Sequence, residues 1–182
     1  YETDAECTNK LSEIDRTRWF TDDEIDYFLL HHINNPMFTF LRCFIVSILC
    51  SDIVEKVVDL PKAIFEAQVI LCPLNINNSH WVLFVYCKSP LTSYFIDPIL
   101  KNRIRLVNKE RAVKINNVLN CTFNLDSLII GHPYKDLVYQ DNNYDCGPFI
   151  CGYAMIVSRE WSSIPNTFVE YIRKQLFHCQ SY

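Results

Sequence analysis

Glycine is scarce, with three residues in 182. That excludes collagen-like repeats and Gly-rich linkers, both of which use it heavily. No apolar run approaches the ~18 residues that a membrane-crossing helix needs. The longest, around Phe38 to Cys50, is interrupted by Thr39, Arg42 and Ser47. No C-x-x-C pair occurs among the nine cysteines, so zinc-ribbon and thioredoxin-like chemistry has no support and neither metal nor cofactor is expected. The odd count and apolar settings, as in Arg42-Cys43-Phe44-Ile45 and Ile70-Leu71-Cys72, point to reduced, buried thiols. A basic surplus is missing too. The net charge is −4, which argues against nucleic acid as the main partner. Internal repeats and low-complexity segments are absent. Residues Tyr1 to Lys10 are polar and partly acidic, unlike a secretory signal. A first residue of Tyr instead of Met suggests a piece of a longer chain.

What is present is ordinary for a folded domain. Hydrophobic residues make up 49% and charged residues 21%, and the length suits one compact core. We expect a lead-in over residues 1–17 and a single domain over 18–182. Thr21, followed by Asp22, Asp23 and Glu24, reads as a helix start with a capping box. Ile25, Phe28, Leu29, His32 and Ile33 continue it with helical period, and Asn34-Asn35-Pro36 ends it. A helical or mixed segment follows from Met37 to Cys50. Ala67 to Cys72 reads as a strand, and Pro73 to Ser79 as a turn-rich loop. His80 to Cys87 is a near-continuous run of β-formers, hence a buried central strand, with Tyr94-Phe95-Ile96 its neighbour. Lys101 to Asn120 reads as a mostly exposed helix and Leu137-Val138-Tyr139 as a short strand. Cys146 to Arg159 and Thr167 to Phe177 read as the last two helices. Helices and a small mixed sheet in one layer pair predict an α+β domain.

Four residues stand in unusual settings. Cys146, in Asp145-Cys146-Gly147, opens an apolar helix, where the unpaired N–H groups and the dipole favour a thiolate. His80 opens the central strand and is placed to take the thiol proton. Asp97 ends the next strand, where a carboxylate can hold the second ring nitrogen. Gln140, six residues before Cys146, offers an amide for an oxyanion together with the Cys146 N–H. Each has a plainer reading: a small core residue, an edge histidine, a turn aspartate, a solvated loop glutamine.

Taken together, Leu74 to Leu83 with His80-Trp81, then Tyr94-Phe95-Ile96-Asp97, then Gln140-x5-Cys146-Gly147-Pro148-Phe149, resemble the ubiquitin-like-protein protease family. That family includes the desumoylating and deneddylating proteases, the adenovirus proteinase and bacterial effectors. Trp19-Phe20-Thr21-Asp22 matches its N-terminal Trp-x-x-Asp element, although many eukaryotic members have Leu-Asn where Phe20-Thr21 stand. The resemblance implies a papain-like cysteine protease fold, its small mixed sheet flanked by helices. It makes Cys146 the nucleophile, His80 the base, Asp97 the orienting acid and Gln140 the oxyanion donor. It implies that Trp19 and Trp81 flank a tunnel for a C-terminal Gly-Gly, with Asp22 beside it among the substrate contacts. Flat aromatic walls would admit glycine and reject a Cβ. The implied partners are ubiquitin, SUMO or NEDD8 and their conjugates. A monomer acting in the cytoplasm or nucleus of a eukaryotic cell, a host cell included, is expected. The acidic run Asp22, Asp23, Glu24 and Asp26 tilts preference toward the arginine-bearing tails of ubiquitin and NEDD8. Two alternatives stay open: an acetyl-CoA-dependent acetyltransferase on a related triad, and a non-catalytic modifier-binding module.

Overall fold

The local chemistry of Thr21 sets the first helix. Its hydroxyl accepts from the Glu24 N–H at 3.3 Å, and Glu24 Oε2 accepts from the Thr21 N–H at 2.8 Å. Both halves of the capping box are therefore closed. Helix α1 (Asp22–His32) follows, with Ile25, Phe28 and Leu29 buried and acids in its first turn. The computed structural model describes residues 17–52, 59–99 and 106–179. Most of the expected lead-in, Cys7, and the first residues of the expected helix from Lys101 lie outside the described residues.

The Met37 to Cys50 segment splits in two. Strand β1 (Phe38–Phe40) runs first, then helix α2 (Cys43–Cys50). Asp26, on α1, accepts from the Cys43 N–H at 2.9 Å and so satisfies an orphan donor of the next helix. A single turn, α3 (Ala63–Glu66), leads into β2 (Val69–Ile76). β3 (His80–Cys87) and β4 (Thr92–Ile96) complete the centre of a five-stranded sheet, with the short β5 (Leu128–Ile129) at its far edge and the order β1-β2-β3-β4-β5. β1 pairs parallel to β2, and β2, β3 and β4 pair antiparallel.

β2 is longer than its sequence suggests. It runs through Pro73, which faces Leu83, up to Ile76 opposite His80. Only Asn77, Asn78 and Ser79 form the turn. Pro73 is tolerated because β1 covers β2 only from Val69 to Leu71, so the outer side of β2 has no ladder to lose there. Asn77 and Asn78 both take φ 55°, a left-handed backbone that asparagine accepts more readily than most residues.

β3 is apolar on both faces, and both faces are covered. Trp81, Leu83 and Val85 join one core cluster with α1, α5 (Cys146–Val157) and α6 (Phe168–Cys179). Val82, Phe84 and Tyr86 join a second with α2, α3 and α4 (Leu106–Phe123). The arrangement is thus three-layered instead of a single layer pair, as a strand without a polar face demands. α4 is not the mostly exposed helix expected, because Ala112, Ile115 and Leu119 are fully buried at spacings of three and four. Leu137 to Tyr139 forms no strand. Its backbone is held by other means, the Val138 carbonyl accepting from the Tyr153 hydroxyl at 2.8 Å. The fifth strand is instead β5 (Leu128–Ile129), parallel to β4 and too short to show a period.

α5 is the most buried helix described, with every residue except Ile156 inside. Pro148 fits because it stands in the first turn, where its missing N–H has no intrahelical partner. Gly147 is required by contact. A Cβ there would lie 2.5 Å from the Phe20 Cβ. Gly147→Ala is therefore expected to destabilise the domain by about 1–3 kcal/mol, read as a lowered thermal midpoint.

Candidate active site

The antiparallel register of β3 and β4 opposes Leu83 to Ile96. The start of β3 and the end of β4 therefore meet at one end of the sheet. There His80 Nε2 lies 2.8 Å from Asp97 Oδ1. The pair is secluded, with side chains 13% and 3% exposed. Asp97 Oδ1 also accepts from the Ile99 N–H at 3.0 Å, which fixes the carboxylate. The His80 ring also interacts with Cys146. With Nε2 on Asp97, the nitrogen left to serve the thiol is Nδ1. Burial alone pulls the imidazole down. The hydrogen bonds and charges of Asp97 and Cys146 more than reverse this and raise it from 6.5 to about 9.

Cys146 is the first residue of α5 and is itself buried, 1% exposed. The loop before it is built around Asn142. The Asn142 side-chain oxygen accepts from the Tyr144 N–H at 3.1 Å and the Asp145 N–H at 3.0 Å. Its amide nitrogen donates to Asp145 Oδ2 at 2.7 Å. Gln140 is tied at two points. Its N–H donates to the Pro98 carbonyl at 2.8 Å, next to Asp97, and its Nε2 donates to the Asn142 carbonyl at 2.6 Å. That second bond decides which way the amide faces, since the reverse would oppose two carbonyl oxygens. One face of the sequence pattern is thus brought together: His80, Asp97 and Cys146, with Gln140 on the loop leading into Cys146.

The tryptophans differ from one another. Trp19 is 40% exposed, while Trp81 is 2% exposed and packs in the first core cluster. The Trp81 indole N–H donates to the Phe20 carbonyl at 3.1 Å, so it anchors the segment that carries Trp19. Asp22 is exposed on α1 and lines a polar cleft with Asn75, Asn77, Asn78, Arg111 and Lys114. Sequence reasoning missed Asn142 and Arg173. Asn142 was signalled by its place in a polar turn. Arg173 is remote in sequence and reaches this loop only through the packing of α6.

A thiol at the N-terminus of a buried helix, facing an imidazole–carboxylate pair at the end of a mixed sheet, is the architecture of a cysteine protease. The chain belongs to the Ulp1 protease family: residues 18–181 match the model of its C-terminal catalytic domain. NEDD8-specific protease 1 of Schizosaccharomyces pombe is 23% identical over 201 residues, covering 93% of this chain. The chain spans only 46% of that relative's length. The C-terminal Ulp1 protease domain in complex with Smt3, the yeast ortholog of SUMO, superimposes with a TM-score of 0.68 at 18% identity, over 91% of this chain and 77% of that one. The Xanthomonas campestris effector XopD bound to ubiquitin gives 0.55 at 15% identity, over 85% and 78%. These two likenesses show the shared fold.

A raised His80 makes stability depend on pH in one direction. The stabilisation is complete below the ordinary histidine value of 6.5 and is lost as pH rises through about 9. Urea unfolding compared at about pH 6 and about pH 10 should lose on the order of 1–3 kcal/mol more in wild type than in Asp97→Asn. Taking that difference removes the losses common to both, since thiols such as Cys72, Cys87 and Cys151, which burial holds protonated in the fold, ionise in the unfolded chain over the same interval.

Proposed function

We propose that this domain cleaves the bond after the C-terminal Gly-Gly of ubiquitin or a ubiquitin-like modifier, by a Cys146–His80–Asp97 triad. The observation that carries the reading is that His80, bonded to Asp97 through Nε2, stands close enough to Cys146 for the two to interact. The family supports it, as do a relative named for NEDD8 and neighbours solved with SUMO and with ubiquitin.

In this reading the Cys146 thiolate attacks the glycine carbonyl, and the Cys146 N–H and the Gln140 amide hold the oxyanion. His80 gives its proton to the leaving lysine amine, which departs with the acyl group left on sulfur. It then takes a proton from water, whose attack breaks the thioester and returns the thiol. Asp97 keeps Nε2 protonated and Nδ1 directed at sulfur. Trp19 and Trp81 flank the entry for the glycines, and Asp22 lies among the substrate contacts. Acids around α1 suit the arginine-bearing tails of ubiquitin and NEDD8. Such substrates belong to the cytoplasm or nucleus of a eukaryotic cell or host.

The test is covalent capture by ubiquitin, NEDD8 and SUMO probes carrying a C-terminal thiol-reactive group. A mass shift with one of them, lost in Cys146→Ala, is the expected result. No shift with any probe would remove the modifier assignment. With the captured modifier as substrate, Cys146→Ala should abolish turnover and His80→Ala nearly so. Gln140→Ala should lower kcat about 10²- to 10³-fold. Asp97→Asn should lose less than either triad partner, and wild-type kcat in that variant would take Asp97 out of the triad.

A further inference from the structure

Asp145 precedes Cys146 in the chain and sits at the N-cap of α5. A bare carboxylate there is unhelpful to a reactive thiol, because it opposes negative charge on its neighbour. Nor does it act as a helix cap, since its side chain makes no capping hydrogen bond. It is held instead from outside the helix. Arg173, on α6, donates from Nη2 to Asp145 Oδ1 at 2.7 Å, and both side chains are only 10% exposed. Asn142 takes the other oxygen. The same guanidinium donates from Nη1 to the Arg18 carbonyl at 3.0 Å and lies over the Phe20 ring, 5.2 Å from its centroid. Arg18 and Phe20 are the two neighbours of Trp19. One rigid fork thus reaches the nucleophile loop and the tryptophan segment together, which a lysine ammonium on a flexible stem does not reproduce.

We propose that Arg173 is a positioning residue that neutralises Asp145 beside Cys146 and locks the Trp19 segment to the nucleophile loop. The inference rests on Cys146 being the nucleophile, as argued above. It separates two contributions of Arg173: charge, acting on the thiol, and fork geometry, acting on substrate entry.

The experiment measures alkylation of each cysteine by iodoacetamide at neutral pH, peptide by peptide, using mass spectrometry. The thiolate displaces iodide, so the rate follows the thiolate available at each site. Cys121, which is exposed, serves as the internal reference. Because Cys146 is buried, its rate is read relative to Cys121 and compared across variants. Arg173→Met should slow Cys146 on the order of tenfold and leave Cys121 unchanged. Adding Asp145→Asn to Arg173→Met removes the unpaired charge and should return Cys146 to within about twofold of wild type. Arg173→Lys keeps the charge without the fork. It should alkylate at close to the wild-type rate, yet be captured more slowly by the modifier probe that labels wild type.

Equal Cys146 rates in wild type and in folded Arg173→Met would overturn the inference, as would a slowing that Asp145→Asn does not relieve. If Arg173→Met does not fold, Arg173→Lys decides alone: unchanged probe capture overturns the role of the fork. Should no modifier probe label Cys146 in wild type, the nucleophile assignment itself falls, an outcome distinct from the others.

Discussion

The burial of α5 is the constraint on which the rest of the domain depends. A helix apolar on nearly every side has no stable place at a surface. It is enclosed by β3, α1 and α6, with the Phe149 ring meeting Phe168 edge-on at 4.8 Å between centroids. That enclosure puts its N-terminus at the start of β3, so the first residue of the helix, Cys146, meets the first residue of the strand, His80. Gly147 allows the closeness, since the space a side chain would fill belongs to Phe20. Packing of ordinary apolar side chains thus sets a distance that the proposed chemistry requires.

Charge is handled differently from apolar surface in this domain. Glu24, Asp97 and Asp145 are all buried, and each has a partner: Arg18 for Glu24, His80 for Asp97, Arg173 for Asp145. Buried ion pairs are weak sources of net stability, because desolvation offsets most of their attraction. Their common location is more informative. Arg18 links the capping box of α1 to Arg173, Arg173 to Asp145, and Asn142 joins Asp145 to Gln140. A continuous polar path therefore runs from the tryptophan-bearing segment to the loop before Cys146. Groups that exchange bonds in this way restrict one another's positions, and restriction is what an oxyanion donor and a narrow entry both need.

Identity of 15–23% to the relatives and neighbours is low, yet the fold is shared over most of the chain. The reason is visible in which residues are committed. Core positions of β3 and α5 accept any apolar side chain of suitable volume. His80, Asp97, Cys146 and Gln140 accept few replacements if the chemistry proposed for them holds. Surfaces around α1 and the β2–β3 turn are free to differ, and a modifier would be told from its relatives on such surfaces.

The sequence by itself determined the elements whose cause is local. The capping box at Thr21, the end of α1 at Asn34-Asn35-Pro36, the apolar run of β3 and the helical period of α5 each follow from neighbours a few residues apart. The four candidate site residues were legible for another reason, the resemblance of the motifs around them to a known family, while only the fold brings His80 and Cys146, remote in the chain, to one place. Only the tertiary structure decided what depends on partners remote in the chain. The extent of β2 through Pro73 follows from where β1 stops covering it. The buried face of α4 follows from the second face of β3, and the loss of the expected Leu137 to Tyr139 strand from its bond to α5. The role of Arg173 is the extreme case: nothing near it in sequence tells of Asp145, twenty-eight residues away, and only helix packing brings the two within a hydrogen bond. Local propensity acts over one turn or one strand pair, whereas burial and charge pairing are settled by whatever the folded chain places alongside.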